Sequence, residues 1–237
     1  MGSSLVSDRL ETYARMHGGF RTFDFSQAQA FKLGDPNLPD QGKTYKMVLR
    51  RGKPMGGVCA TLCAFWTVFH ATQDSRTPNS FTRGRSVWDY LFNENGVNTG
   101  AAINITVEHH QSSGNQIRYL EDFMRKFGII RRQDIVSGAL LEKEFAMSHT
   151  RLIAAGEGIV KHRGGGYKLL SLRGSKGGGG HMVAAFAGED VLFMDPNYGE
   201  FWLPNRDAFR AWWQFFMLNS YIRSYDTLIV RDYGVKV

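Results

Sequence analysis

The side chains here that can run nucleophilic or acid–base chemistry at neutral pH are two cysteines, seven histidines and a scattered set of carboxylates. Of the two cysteines, Cys59 has the surroundings of a nucleophile. It follows Gly56-Gly57-Val58 and opens the breaker-free run VCATLCAFWTVFHA, so it stands where a helix begins. Unpaired backbone N–H groups and the helix dipole favour negative charge at such a position, and the thiolate is the reactive form of cysteine. The glycine pair lets the chain turn sharply and lets a substrate approach the backbone, which makes Gly57 a candidate groove residue. The competing reading of Cys59 is a small buried core residue. Cys63, one helical turn on, is expected to face inward as inert packing. A metal site on these two cysteines would need further ligands, and the nearby candidate, His70, sits on the same helix, so no metal is expected. His70 is read instead as stabilising the helix C-terminus.

A cysteine nucleophile needs a base whose pKa lies near neutrality, which points to histidine. His17, His149 and His162 sit in polar or basic stretches and are expected at the surface. His109 and His110 are adjacent, so their side chains diverge and at most one can enter a site. His181 differs, because the run Gly177 to Gly180 delivers it onto the apolar strand MVAAFA. An imidazole held at a strand's start with bare backbone beside it suits a cleft wall, and Gly180 becomes a second candidate groove residue. The glycine run lacks the Gly-Lys-Ser/Thr ending of a phosphate loop and precedes a strand, so no nucleotide cofactor is expected.

The third role, a carboxylate that orients the histidine, falls to Asp195, which ends VLFM and opens the turn Asp195-Pro196-Asn197-Tyr198-Gly199. If 181–187 and 191–195 pair as a hairpin, His181 and Asp195 come within reach of one another. Capping the turn through its own backbone is the other role open to this aspartate. Trp202, just past the turn, is a candidate for the border of a substrate groove.

The elements that must position these residues follow from periodicity. Residues 7–17 carry a helical pattern, and FRTFDFS at 20–26 alternates like a strand. GDPNLPDQGK at 34–43 reads as a loop and TYKMVLR at 44–50 as a short strand. The run from Val58 to Ala71 is apolar on nearly every face and predicts a buried central helix. Residues 72–84 read as a loop and SVWDYLF as a short helix, while 96–114 give no clear period. Ile117, Leu120, Met124 and Phe127 recur at helical spacing with Gly128 as the stop. A further helix is expected over 139–148, and two strands around Gly164-Gly165-Gly166 over 158–173. HMVAAFAG, VLFMDPNYG and EFWL predict an antiparallel meander. Phe209, Trp212, Trp213 and Phe216 share a helix face, and SYIRSYDTLIVRDY reads as a final strand. The class is therefore α+β, expected as one domain over 1–237 with about 1–43 as an N-terminal extension.

With 237 residues, 43% of them hydrophobic, the chain can bury one substantial core. No apolar run is long enough to cross a bilayer, and MGSSLVSDRLE lacks the apolar core of a secretory signal. Two cysteines in one helix are not a disulfide framework, which points to a reducing compartment. The formal charge of +7 favours anionic partners, such as a phospholipid surface or an acidic protein face. Its dispersal, with short clusters at Arg50-Arg51, Arg131-Arg132 and Lys161-His162-Arg163, reads as a solvated face rather than a nucleic-acid site.

GGVCATLCAFW, followed at long range by HMVAAFAGEDVLFMDPNYGEF, resembles the YopT/AvrPphB family of effector cysteine peptidases, a branch of the papain-like clan. Trp66 matches the tryptophan that follows that family's cysteine, and Asp195 through Phe201 match its Asp-Pro-Asn-x-Gly-x-Phe turn. The resemblance implies a papain-like fold with the nucleophile helix packed on an antiparallel sheet, a Cys59–His181–Asp195 triad and no cofactor. It implies cleavage of one host protein, near the prenylated C-terminus of a small GTPase or within a kinase loop, by a type III-secreted virulence protein working in the host cytoplasm. Where papain-like enzymes carry a Gln or Asn ahead of the cysteine, Lys53 and Pro54 stand here. The Cys59 backbone N–H supplies one oxyanion donor, and Lys53, or an amide such as Gln41, is the candidate for the second. That departure keeps open a glutamine deamidase or transglutaminase using the same triad; the second rival is a non-enzymatic module that binds an acidic or lipid surface through its basic face.

Overall fold

Among the described residues eight strands form one sheet in which every pairing is antiparallel, and a second, two-stranded hairpin stands apart from it. The computed structural model describes residues 2–31, 58–73, 82, 84–111, 116–161, 165–174 and 180–236. The loop and strand expected over 34–50, together with Gln41, Arg50-Arg51, Lys53, Gly57, His162 and Arg163, lie outside the described residues. In chain order the elements are α1 (Gly2–Met16), β1 (Phe20–Phe23), α2 (Gln27–Ala30), α3 (Cys59–Gln73), α4 (Val87–Leu91), β2 (Phe92–Asn93), β3 (Gly96–Val97), α5 (Thr99–Gln111), α6 (Gln116–Arg125), β4 (Ile129–Arg131), β5 (Glu142–Ala146), α7 (His149–Val160), β6 (Tyr167–Arg173), β7 (His181–Ala187), β8 (Val191–Asp195), β9 (Gly199–Leu203), α8 (Arg206–Ser220) and β10 (Thr227–Val235). The large sheet runs β1-β9-β8-β7-β6-β10-β4, and β5 pairs with the first part of β10.

Side chains on a strand alternate between faces, and the central strands divide their residues accordingly. Met182, Ala184 and Met194 join the cluster built around α3, whereas Val183, Ala185 and Phe193 join the one built from α7, α8 and α1. Helices thus cover both faces. Helix α3 is buried along almost its whole length, from Cys59 to Phe69, which its all-round apolar sequence requires. On the other face Phe209, Trp212, Trp213 and Phe216 are fully buried, as their spacing predicts. Strand β1 pairs with β9, so the N-terminal residues extend the same sheet. Helix α6 ends before Gly128, whose φ of 78° is the left-handed stop that a glycine supplies.

Several expectations are corrected. The helix expected over 139–148 is instead β5, because Glu142–Ala146 pairs with Thr227–Arg231 and that pairing overrides the helix propensity of LEKEFA. The first strand expected over 158–173 is the end of α7, where Leu152, Ala155, Gly156 and Ile159 are buried at helical spacing. The 96–114 stretch holds β3, which pairs back onto β2, and the whole of α5. In the last expected strand, the residues before Thr227 finish α8 and turn. Arg131 is not on a solvated face: it pairs with Glu121 at 2.8 Å and with Glu142, and Arg132 lies 3.7 Å from Asp232.

Candidate active site

Cys59 is the first residue of α3, so its sulfur stands at the positive end of the helix dipole beside first-turn N–H groups that have no intrahelical acceptor. Cys63, one turn later, is fully buried and its thiol donates to the Met182 carbonyl at 3.3 Å. Burial, reinforced by the nearby charges of Cys59 and Asp195, pushes the Cys63 thiol well above its usual range, which makes it inert.

His181 opens β7 and Asp195 closes β8. Ala184 pairs with Met194, and the same register carried one step further sets Asp195 against Val183, two residues from His181 on the same face. Nε2 of His181 lies 3.1 Å from Oδ1 of Asp195, and both side chains are buried, Asp195 completely. Cys59 is close enough to His181 to favour its charged form. With Nε2 turned to Asp195, Nδ1 is the ring nitrogen left for the sulfur. Burial works against a charged imidazole here, but the Asp195 carboxylate, through charge and hydrogen bond, and Cys59 outweigh it and raise the His181 pKa to about 10. Asp195 also takes the turn-capping role, accepting the Asn197 backbone N–H at 2.7 Å on the oxygen that faces His181. The two readings of Asp195 are therefore compatible.

Of the other candidates, Gly180 is exposed and adjoins His181. Trp202 is not brought to this cluster. Its indole N–H donates to Asp190 Oδ2 at 2.6 Å, at the β7–β8 turn, while Asp195 sits at the opposite end of β8; the strand's length separates the two. His70 is the basic residue in the last turn of α3. Its Nδ1 meets the Tyr167 hydroxyl at 2.7 Å and its ring stacks on Trp66. His109 Nδ1 lies 3.4 Å from Thr61 Oγ1, His149 is exposed, and His17 packs edge-on to Tyr13.

Three residues around Asp195 were not visible as site residues in the sequence. Tyr221, just after α8, donates its hydroxyl to Asp195 Oδ2 at 2.8 Å. Asn197 contacts that hydroxyl through Nδ2 at 3.1 Å. Gln27 donates from Nε2 to Asn197 Oδ1 at 2.8 Å and from its backbone N–H to the Pro196 carbonyl at 2.6 Å. Tyr221 lay in a stretch read as strand, and nothing local distinguishes it. Asn197 stands in the turn motif, which is the signal that could have found it.

Among the described residues no group of three or more His, Cys, Asp or Glu is placed to hold a metal ion, and no helix is long and apolar enough to cross a membrane. The chain resembles YopT of Yersinia pestis, named a cysteine protease, with 26% identity over 208 residues, 83% of this chain and 57% of that protein. It is also 23% identical over 216 residues, 86% of this chain, to IbpA of Histophilus somni, named an adenylyltransferase and cysteine protease, of which it spans 5%. The chain thus covers little more than half, or far less, of the curated relatives it matches. The crystal structure of the Pseudomonas avirulence protein AvrPphB superposes with a TM-score of 0.50 at 20% identity, covering 79% of this chain and 94% of that one, a likeness of the papain-like fold. The profile Peptidase_C58, described as Yersinia/Haemophilus virulence surface antigen, matches residues 13–233, and the chain belongs to that family of cysteine peptidases.

Proposed function

We propose that this chain is an effector-type cysteine endopeptidase in which Cys59 is the nucleophile, His181 the acid–base residue and Asp195 the group that orients it. The observation that carries the reading is His181 standing 3.1 Å by Nε2 from the buried Asp195 carboxylate and near enough to Cys59, at a helix start, for that sulfur to favour its charged form. The Cys59 sulfur attacks the scissile carbonyl carbon, and the carbonyl electron pair moves to oxygen. Collapse of that oxyanion expels the amine, which takes its proton from His181. Water then gives a proton to His181 and attacks the thioester, releasing the acid and regenerating the thiolate. The Cys59 backbone N–H is one oxyanion donor, with Lys53 the candidate second.

Its substrate is a host protein met in a reducing compartment after bacterial delivery, with a small GTPase or a kinase the candidate classes, and the basic charge favours an anionic membrane as the meeting place. The test is N-terminal labelling of host-cell extract proteins after incubation with the wild-type chain and with Cys59→Ala. New N-termini that appear with the wild-type chain alone support the endopeptidase. An intact substrate of raised mass instead identifies a deamidase, and no change of either kind sinks both.

A further inference from the structure

The Tyr221 hydroxyl makes three polar contacts, and their chemistry fixes the direction of each. It lies 2.8 Å from Asp195 Oδ2, 3.0 Å from His181 Nε2 and 3.1 Å from Asn197 Nδ2. A phenol has one proton and accepts at its oxygen. The Asn197 amide nitrogen only donates; its own oxygen is the atom that takes the Gln27 N–H. The carboxylate only accepts, so the phenol proton goes to Asp195. The His181 Nε2 contact is then satisfied only if Nε2 carries hydrogen and shares it between Asp195 Oδ1 and the phenol oxygen.

We propose that Tyr221 is a positioning residue of the triad, closing a His181–Asp195–Tyr221 ring that keeps the imidazole proton on Nε2 and so leaves Nδ1 facing Cys59. This rests on the triad reading above. Tyr221 is well held for the task. Its backbone N–H caps α8 on the Met217 carbonyl, and its ring packs against Phe216, Tyr198, Tyr225 and the His181 ring itself, 5.0 Å away. Burial, then the charge and hydrogen bond of Asp195, push its phenol well above the usual range, so it stays a donor at working pH. The titratable groups around it are His181 from β7, Asp195 from β8, Tyr198 from the turn and Tyr225 from its own segment, with Cys59 of α3 reached through His181.

The test needs no substrate. The rate of Cys59 alkylation by iodoacetamide is followed against pH for the wild-type chain and Tyr221→Phe, with buried Cys63 as the slow internal control. Tyr221→Phe removes only the oxygen; it is expected to slow alkylation at pH 6 by about tenfold, the worth of one hydrogen bond to a charged group, and to move the rise of the rate to higher pH. A wild-type rate and profile in a folded Tyr221→Phe chain overturns the inference. Proton NMR of the wild-type chain is the second measurement: an imidazole Nε2 proton of His181 with a cross-peak to the Tyr221 ring is expected, and a His181 protonated on Nδ1 alone overturns it even if the variant does not fold. Failure of the triad itself looks different, because Cys59→Ala would then leave cleavage intact.

Discussion

The indole N–H of Trp66 lies 2.5 Å from Oε2 of Glu200, and through that contact the helix carrying Cys59 is tied to the strand that follows the Asp195 turn. Trp88 donates to the same oxygen at 3.1 Å, and Thr22 donates to Oε1 at 2.6 Å. One carboxylate therefore gathers α3, α4, β1 and β9. Glu200→Ala would leave two part-buried indole donors without their acceptor, at a cost of about 2–3 kcal/mol. Urea denaturation should show that loss, with Glu200→Gln recovering part of it because its amide oxygen still accepts. Equal stability of all three proteins would show that the carboxylate is a bystander.

Gly199 sits at φ 94°, where a side chain is strained, and a Cβ there would come within 2.0 Å of the Phe23 carbonyl oxygen. Gly199→Ala must push β1 away from β9 as well as hold a left-handed backbone, so it should destabilise by more than about 2 kcal/mol. Because the same turn carries Asp195 and Asn197, the thermal midpoint and Cys59 alkylation should fall together. A variant that keeps its melting temperature would show that the turn relaxes freely.

Much of this was legible because the informative segments were short and strongly patterned. The start of α3 at Cys59 and the His181 and Asp195 strands could each be placed from local rules. The pairing of Asp195 with His181 followed from the hairpin that joins them. What sequence could not show was contact made at long range. Glu142–Ala146 has helix-forming residues and becomes strand only because β10 is beside it. Tyr221 reaches Asp195 across 26 positions, and Trp66 reaches Glu200 across 134. Trp202 shows the converse: closeness in sequence to the turn does not fix where an indole ends up, and its partner Asp190 lies just before the neighbouring strand, at the end away from Asp195.

Burial works against the charged form of His181, but Asp195 and Cys59 outweigh it and raise its pKa from 6.5 to about 10. A folded-state pKa above the unfolded one means that protonated His181 stabilises the fold fully below about pH 6.5, and that this contribution is lost as pH rises toward 10. The wild-type chain should therefore lose stability between these limits more steeply than His181→Gln, in which the group is absent. Chemical denaturation at intervals across the window measures the difference. Parallel curves for the two proteins would mean that His181 titrates in the folded chain much as it does unfolded.

Ile135 and Val136 are fully exposed at the tip of the excursion between β4 and β5, whose base is closed by the Gln133–Leu140 bridge. No core contact depends on them, so Ile135→Ser with Val136→Ser should change stability by less than about 0.5 kcal/mol. It should also reduce association at high concentration, since contiguous exposed aliphatics favour self-contact. Thermal melts and light scattering test both halves, and a large stability loss would show that the tip packs on a neighbouring segment.

Lys168 is the most deeply buried cation among the described residues that the site does not use. Its ammonium pairs with Asp232 on the adjoining strand, and the two side chains are only 2% and 8% exposed. Burial lowers the Lys168 pKa, while Asp232 opposes the shift, so the pair holds together only as long as both members are present. Asp232→Ala would strand a buried ammonium, with a loss of about 3–5 kcal/mol, whereas replacing both partners by apolar residues of similar volume should be close to neutral. The contrast is sharpened by Arg132, 3.7 Å from the other carboxylate oxygen and 29% exposed, which can swing into solvent when Asp232 is gone whereas Lys168 cannot. Lys168→Met with Asp232→Leu should therefore be more stable than Asp232→Ala alone, measured by denaturation of the single and double variants in one cycle. A double variant as unstable as the single one would mean that the ion pair specifies the β6–β10 register rather than balancing its own burial.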